Sequence, residues 1–531
     1  MNPLRVSAEL PAPASRTPVI PSNEGVGGDL ELELGRNWFA LAGILALTVG
    51  IGFMLSLPWT SAPAAAPALV GYALTGGLLF LARVWRHTFE AAAGHLRAAA
   101  MILFAFSGLR LFFPAGRTVF EAGSFGGQAL VSASAMVGLF FALRRNSPWL
   151  LVVALATSAA TLLAVGSANF VLAGIAALAA VSVGCGWKRH WPVSTLAAIP
   201  LLNFTYLLWA LGNPLDGGAV DFVTEPRFAP LLLLALAAVS ARGYFGTPTE
   251  DEAGESAGAK TSALLICALG YGLYLLHTLV AFKAELLLFH SVAAAVYLGI
   301  AMVSWIRDSG RIGTFFYAMT GYAALSIAIL KGTTAPEVFV WLSVQSVVVV
   351  ATAIWFRSRL IVVANFGIFL VIVAGYVITV GQETGISLGL GVVALLTARI
   401  LRWQQHRLEL KTELMRNAYM LTALVIFPYA LAHLVPRQLV AVAWVGLALA
   451  YYGMNMIVQS PKYRWMGHAT LLLTIVYVVL AAVRGLDPMY RVASFLALGV
   501  VLLVVSLTIT RTKRVTPSVR TPAATPLETP K

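Results

Sequence analysis

The chain has 531 residues, of which 59% are hydrophobic and only 11% are charged. A water-soluble body of this size needs a larger polar surface, so the composition excludes a soluble globular protein. The formal net charge of +14 needs no nucleic-acid partner to explain it, because basic residues beside a membrane match anionic lipid head groups.

Apolar runs of about 20 residues, the length that crosses a bilayer, recur along nearly the whole chain. They predict an all-α fold, a polytopic integral membrane helical bundle of about 18 transmembrane helices, with a range of about 16 to 19. In chain order the predicted helices are 37–57, 66–84, 96–113, 125–143, 148–165, 168–186, 191–211, 226–245, 261–280, 285–305, 311–331, 335–356, 360–380, 384–402, 414–433, 437–458, 463–483 and 490–510.

The two ends of the chain differ from this membrane domain, which we predict to span 37–510. Residues 1–36 and 511–531 are rich in proline and small or polar residues and cannot bury enough apolar area to fold. We therefore expect both segments to be disordered tails.

Lysine and arginine concentrate in alternate loops between the predicted helices. Short loops rich in these residues stay on the cytoplasmic side of a membrane. The alternation therefore predicts a protein of the inner (plasma) membrane with both termini in the cytoplasm, loop 212–225 outside and loop 246–260 inside. The expected partners are anionic lipid head groups at the cytoplasmic face, with other envelope proteins as a further option and the oligomeric state left open.

Cys185 and Cys267 are the only cysteines, which argues against a disulfide framework or a thiolate metal cluster. The predicted loops are also too short to hold a soluble catalytic domain. We predict no catalytic residue, no metal and no cofactor.

A weak repeat is visible in the second half of the chain, where Trp341 and Arg359 are spaced like Trp444 and Lys462. Four helices fit within the offset, and repeats of this kind are common in transporter folds. The two predicted repeat units are 311–402 and 414–510.

Two end motifs carry a resemblance to known proteins: "LELGRNW" at 32–38 and "YRVASFLALG" at 490–499. With the many helices between them, they make the chain similar to a large bacterial family of multi-pass membrane proteins of unknown function. Members tend to carry a lysine and an aspartate before the Tyr-Arg pair, where this chain has Tyr477 and Ala482. The resemblance implies a membrane fold and assigns no reaction.

A charge cluster precedes the last predicted helix and is a candidate outer-face site: Arg484, Asp487 and Arg491. Pro488 suits the first turn of a helix, and Asp487 before it is a preferred N-cap. Arg491, one turn further on, can reach back to Asp487 or extend to the head groups. The cluster is therefore interpreted as helix capping, with an outer ligand site as the alternative.

A second candidate is an intramembrane polar site formed by His277, His290 and Gln345. The two histidines flank a predicted outer turn, where they could ligate haem or a metal, relay protons, or simply bond one helix to another. No third ligand is evident. Gln345, with Ser343 and Ser346, is the densest polar group inside a predicted helix and is interpreted as hydrogen bonding between helices or the wall of a wet cavity.

The remaining polar residues inside predicted helices must also face other helices or a wet cavity, because lipid offers them no partner. They include Ser107, Asn203, Thr205, Asn365 and Asn455. Gly385 and Gly389 form a GxxxG pattern, and we expect them to let a neighbouring helix approach closely.

Three classes of function remain, and transport or translocation of a small or lipid-linked envelope solute is favoured. A non-catalytic membrane scaffold for envelope assembly is the first alternative, because no carboxylate is predicted mid-helix to couple an ion gradient. A membrane-embedded transferase acting on a lipid-linked sugar is the second, and the first outer loop, "PWTSAPAAAPA", lacks the acidic residues such enzymes usually carry.

Overall fold

The computed structural model describes residues 39–59, 61–112, 119–121, 123–164, 167–213, 220–243, 257–307, 311–379, 384–403, 413–483 and 499. Within these ranges it contains 17 helices and no strand. They coincide one for one with the first seventeen predicted helices, which confirms the all-α polytopic bundle. The eighteenth predicted helix and both predicted tails lie outside the described residues.

The helices are built to cross a membrane. By length and composition, 13 of those described can do so, since each offers about 20 mostly apolar residues with its backbone bonded internally. The chain is therefore a multi-pass membrane protein.

The chain divides into two compact units, of which the first is Met1–Pro226. The sequence predicts one membrane domain over 37–510, and this division is not part of that prediction. The described helices of the first unit are α1 (Phe39–Ser56), α2 (Ala66–Val84), α3 (Glu90–Leu109), α4 (Phe125–Arg144), α5 (Pro148–Leu163), α6 (Ala168–Arg189) and α7 (Pro192–Ala210).

The second unit is Arg227–Lys531. Its described helices are α8 (Ala229–Arg242), α9 (Ala257–Ala281), α10 (Leu286–Ile306), α11 (Arg311–Gly332), α12 (Glu337–Trp355), α13 (Arg359–Thr379), α14 (Thr384–Trp403), α15 (Glu413–Leu434), α16 (Val440–Val458) and α17 (Pro461–Val483). α9 is continuous but contains a π-helical segment, Ile266–Tyr271. α8 is shorter than the predicted 226–245, with 14 residues.

Both units are assembled from hairpins in which an even-numbered helix packs against the odd-numbered helix that follows it. The most extensive of these contacts are α2 with α3, α10 with α11, α14 with α15 and α16 with α17. Odd-numbered helices also contact one another in sequence: α1, α3, α5 and α7 in the first unit, and α9, α11, α13, α15 and α17 in the second. The loops inside these hairpins are the ones predicted to be cytoplasmic.

Small residues explain how closely α10 and α11 approach. Ala293 and Ala301 of α10 and Ala318 of α11 are fully buried. A Cβ added to Gly321 of α11 would lie 3.0 Å from the backbone nitrogen of Leu298. Association of helices in lipid depends on such van der Waals packing, because lipid chains are as apolar as the helix surfaces.

Ion pairs at helix ends agree with the predicted alternation of loops. Arg227 and Glu285, both predicted outside, lie 3.8 Å apart. Lys462 and Glu413, both predicted inside, lie 3.4 Å apart. Each pair joins two helix ends that the predicted number of helices places on the same side of the membrane. The ion pairs therefore support that number, and they do not depend on which side is cytoplasmic.

The predicted repeat is neither supported nor excluded by these contacts. Trp341 of α12 is exposed, whereas its counterpart Trp444 of α16 is buried and donates a hydrogen bond of 2.9 Å to the carbonyl of Pro428. The two units of the repeat, 311–402 and 414–510, stay a prediction.

Candidate functional site

The candidate residues chosen from the sequence fall in different parts of the molecule. Arg484, Asp487 and Arg491 lie outside the described residues, and their capping and ligand interpretations both stay predictions. His277 lies on α9, His290 on α10 and Gln345 on α12.

His290 belongs to a buried aromatic cluster beside the π-helical segment. The hydroxyl of Tyr271 lies 3.3 Å from its Nδ1, and the hydroxyl of Thr278 lies 3.2 Å from its Nε2. The imidazole also meets the rings of Tyr271 and Tyr274 edge-on. Both ring nitrogens are therefore engaged within the α9 and α10 pair, an arrangement that joins the two helices.

His277 is also fully buried, but the ring beside it is Phe282, at 5.4 Å between centroids. In the described part of the chain, no group of three or more His, Cys, Asp or Glu side chains is placed to hold a metal ion. Of the roles considered for the two histidines, the geometry at His290 matches helix-to-helix bonding.

Gln345 is the centre of a hydrogen-bond network between α12 and α11. Its Nε2 donates to the carbonyl of Tyr322 at 2.9 Å and to the hydroxyl of Ser326 at 3.0 Å. The hydroxyl of Ser326 lies 3.3 Å from Oε1 of Gln345. The hydroxyl of Tyr322 is hydrogen-bonded to Thr352, one helix away. Gln345 lies eight residues after Glu337, about 12 Å along α12 at 1.5 Å per residue, so the network is near the middle of the helix.

Asn365 of α13 extends this polar region to α15. Its Nδ2 lies 2.9 Å from the hydroxyl of Ser346, 3.2 Å from the carbonyl of Ser346 and 3.0 Å from the hydroxyl of Tyr419. Asn365 is 2% exposed and Tyr419 is fully buried. The ring of Tyr419 is held against Phe366, at 4.9 Å between centroids. Four helices, α11, α12, α13 and α15, thus contribute polar groups to one region.

These groups border a cavity of about 70 Å³ in the second unit. A water molecule needs about 10–15 Å³ of such volume and two to four polar partners. The cavity is therefore large enough and polar enough to hold water. Its polar lining consists of Tyr322, Ser326, Gln345, Ser346 and Asn365, and its apolar lining of Met319, Ala323, Leu342, Val349, Ile368 and Ile372.

The cavity is uncharged, since none of its lining side chains is acidic or basic. Two of its apolar lining residues, Ala323 of α11 and Ile368 of α13, are exposed. A carbonyl oxygen has two lone pairs, so Oε1 of Gln345 has capacity for another donor besides Ser326.

The lining offers hydrogen-bond donors and acceptors and contains no nucleophile paired with a base. Gln345, Ser346 and Asn365 were singled out in the sequence because they interrupt apolar runs. Ser326, Tyr322 and Tyr419 were not, although they are equally part of the region.

Fold and cavity together define a multi-pass helical membrane protein with a small neutral polar cavity in its second unit. No family model, curated protein or solved structure matches the chain. The resemblance carried by the end motifs therefore stays a prediction.

Proposed function

We propose that this protein moves a small, uncharged, hydrogen-bonding solute across the membrane, and that the cavity beside Gln345 is where the solute binds. The observation that carries the proposal is a polar cavity near the middle of membrane helices. Lipid cannot satisfy polar groups, so such side chains bond to other helices. Bonding between helices does not by itself require an open cavity beside the polar groups.

The class of solute follows from the lining. With no charged side chain to neutralise it, an ion would lose its hydration on entering at a cost of many kcal/mol. A neutral solute with hydroxyl or amide groups can instead exchange hydrogen bonds with Gln345, Ser326 and Asn365. The volume suits a molecule as small as glycerol or urea better than a sugar.

On the basis of the loop charges, we also propose in which membrane the protein resides and how it is oriented there. The protein resides in the inner (plasma) membrane with both termini in the cytoplasm, where its basic loops meet anionic head groups. A scaffold or a lipid-linked-sugar transferase would use the same orientation, so the solute assay below is what separates them.

The proposal predicts that proteoliposomes containing the purified chain swell faster than empty vesicles when glycerol or urea is added outside. Gln345→Met, which keeps the length of the side chain and removes its donors and acceptor, should slow this swelling roughly fivefold, since a neutral hydrogen bond contributes about 1 kcal/mol. Stopped-flow light scattering measures the rate.

Ser343→Ala is the matched control. Ser343 lies on the same helix and is buried. Its hydroxyl donates a hydrogen bond of 2.6 Å to the carbonyl of Phe339, within α12. Its loss should leave the swelling rate unchanged. If vesicles with the folded, inserted protein and vesicles without protein swell at the same rate, the proposal is overturned and a scaffold is favoured. Movement of a fluorescent glycolipid between leaflets without glycerol flux would shift it to a lipid-linked solute.

A further inference from the structure

The first unit contains a second cavity, of about 140 Å³, between α2, α3, α4 and α5. Its lining includes Leu79, Met101, Phe104, Val137 and Phe141. It is twice as large as the polar cavity of the second unit and shares no lining residue with it.

The lining is mainly apolar, and three of its five hydroxyl groups, those of the threonines, bond within their own helices. Thr75 donates to the carbonyl of Gly71 at 2.9 Å, Thr157 to that of Val153 at 2.9 Å, and Thr161 to that of Ser158 at 2.8 Å. Their methyl groups remain for contact with an occupant. Water needs two to four polar partners to enter a cavity, and apolar cavities of about 150 Å³ stay dry and take up benzene-sized molecules.

This cavity opens at the exposed face of α4. Val137, one of the lining residues, is 52% exposed, and its neighbours Met136 and Phe140 are 64% and 63% exposed. α4 is an apolar helix of 20 residues, long enough to cross a membrane. The medium at such a surface is bilayer hydrocarbon.

We infer that this cavity is a lipid site, in which the end of one acyl chain of a bilayer phospholipid inserts between α2, α3, α4 and α5. A hydrocarbon chain matches the dry lining, and a volume near that which takes benzene accepts the last few carbons of the chain. The chain restores the dispersion contacts that an empty cavity would forfeit. This inference is independent of the proposed transport function.

The test uses phosphatidylcholine vesicles that contain a phospholipid with a photoreactive diazirine near the end of one acyl chain. After irradiation and proteolysis, mass spectrometry locates the labelled residues. We expect label on Phe104 and Phe141, which face the cavity. Gly138→Phe should abolish this label, because a Cβ on Gly138 fits at 3.8 Å from Ala154 and Met101 and a ring attached to it occupies the space.

Ala133→Phe is the matched control, since Ala133 is exposed on the same helix and does not line the cavity. It should leave the label on Phe104 and Phe141 unchanged. If Gly138→Phe does not fold, Ser134→Leu, which also fills the cavity from α4, replaces it. Label confined to exposed residues such as Phe140 in the parent protein, or cavity label that persists in a folded filling variant, would overturn the inference.

Discussion

The bond between Asn365 and Tyr419 allows a quantitative test of the polar region. Asn365→Leu removes the Nδ2 contacts to Ser346 and to Tyr419. Tyr419→Phe removes the second of these contacts and also the hydrogen bond between the Tyr419 hydroxyl and Ser346, with the ring kept in place. Hydrogen bonds between membrane helices contribute about 0.6 kcal/mol on average and at most about 1.7 kcal/mol. We therefore expect losses of about 1–2 kcal/mol for Asn365→Leu and about 1 kcal/mol for Tyr419→Phe.

The double variant should lose less than the sum of the two, by a coupling free energy of about 0.6 kcal/mol. Unfolding by sodium dodecyl sulfate in mixed micelles, followed by circular dichroism, gives each free energy of unfolding. A control cycle pairs Asn365→Leu with Tyr376→Phe, whose hydroxyl is bonded to Ser387 at 2.8 Å. Tyr376 lies eleven residues from Asn365, about 16 Å along α13, so this pair should be additive. Equal coupling in the two cycles would refute the assigned bond.

Two further predictions concern packing and orientation. Gly321→Val should destabilise the protein by about 1–3 kcal/mol, because its Cβ would meet the backbone of Leu298. Gly299→Val should not, because there is open space at its Cβ. The same unfolding in micelles measures both variants, and equal stabilities would contradict the close contact. Alkaline phosphatase fused after Asp221 should be active, and the same enzyme fused after Glu252 should be inactive, because the loop charges place these positions on opposite sides of the membrane. The reverse activities would invert the proposed orientation.

The sequence predicts the helices well because the bilayer leaves few alternatives. A span needs about 20 apolar residues with all backbone groups bonded internally, and the predicted helix 66–84 coincides with α2, Ala66–Val84. Helix ends in weakly apolar sequence are less predictable. α3 begins at Glu90 instead of the predicted 96, because alanines from Ala91 onward have high helix propensity without being strongly apolar.

Helix-to-helix contacts were harder to predict, as the glycines illustrate. The GxxxG prediction for Gly385 and Gly389 is wrong for the described residues, where a Cβ added to either would have no atom within 4 Å. A Cβ added to Gly391 on the same helix would lie 2.9 Å from the ring of Phe427. A spacing of four shows which residues share a helix face, but not which face a neighbouring helix covers.

The polar site shows the same division between what a sequence reveals and what packing decides. Gln345 and Asn365 stand out because an amide inside an apolar run needs a partner. Their partners Ser326 and Tyr419 lie 19 and 54 residues away and carry no comparable signal, because hydroxyl side chains can bond to carbonyls of their own helix. The contacts of α13 with α11, α12 and α15 bring these four helices together.

That arrangement bears on how the cavity would release the proposed solute. Gln345 joins α12 to α11, and Asn365 joins α13 to both α12 and α15. Each such bond is worth only a fraction of a kcal/mol to about 1.7 kcal/mol, since an alternative partner is usually within reach. A solute with its own donors and acceptors can therefore replace one protein bond with another at little net cost. Weak affinity of this kind permits fast release, whereas a buried charge in the same place would hold its ligand strongly and slow the exchange.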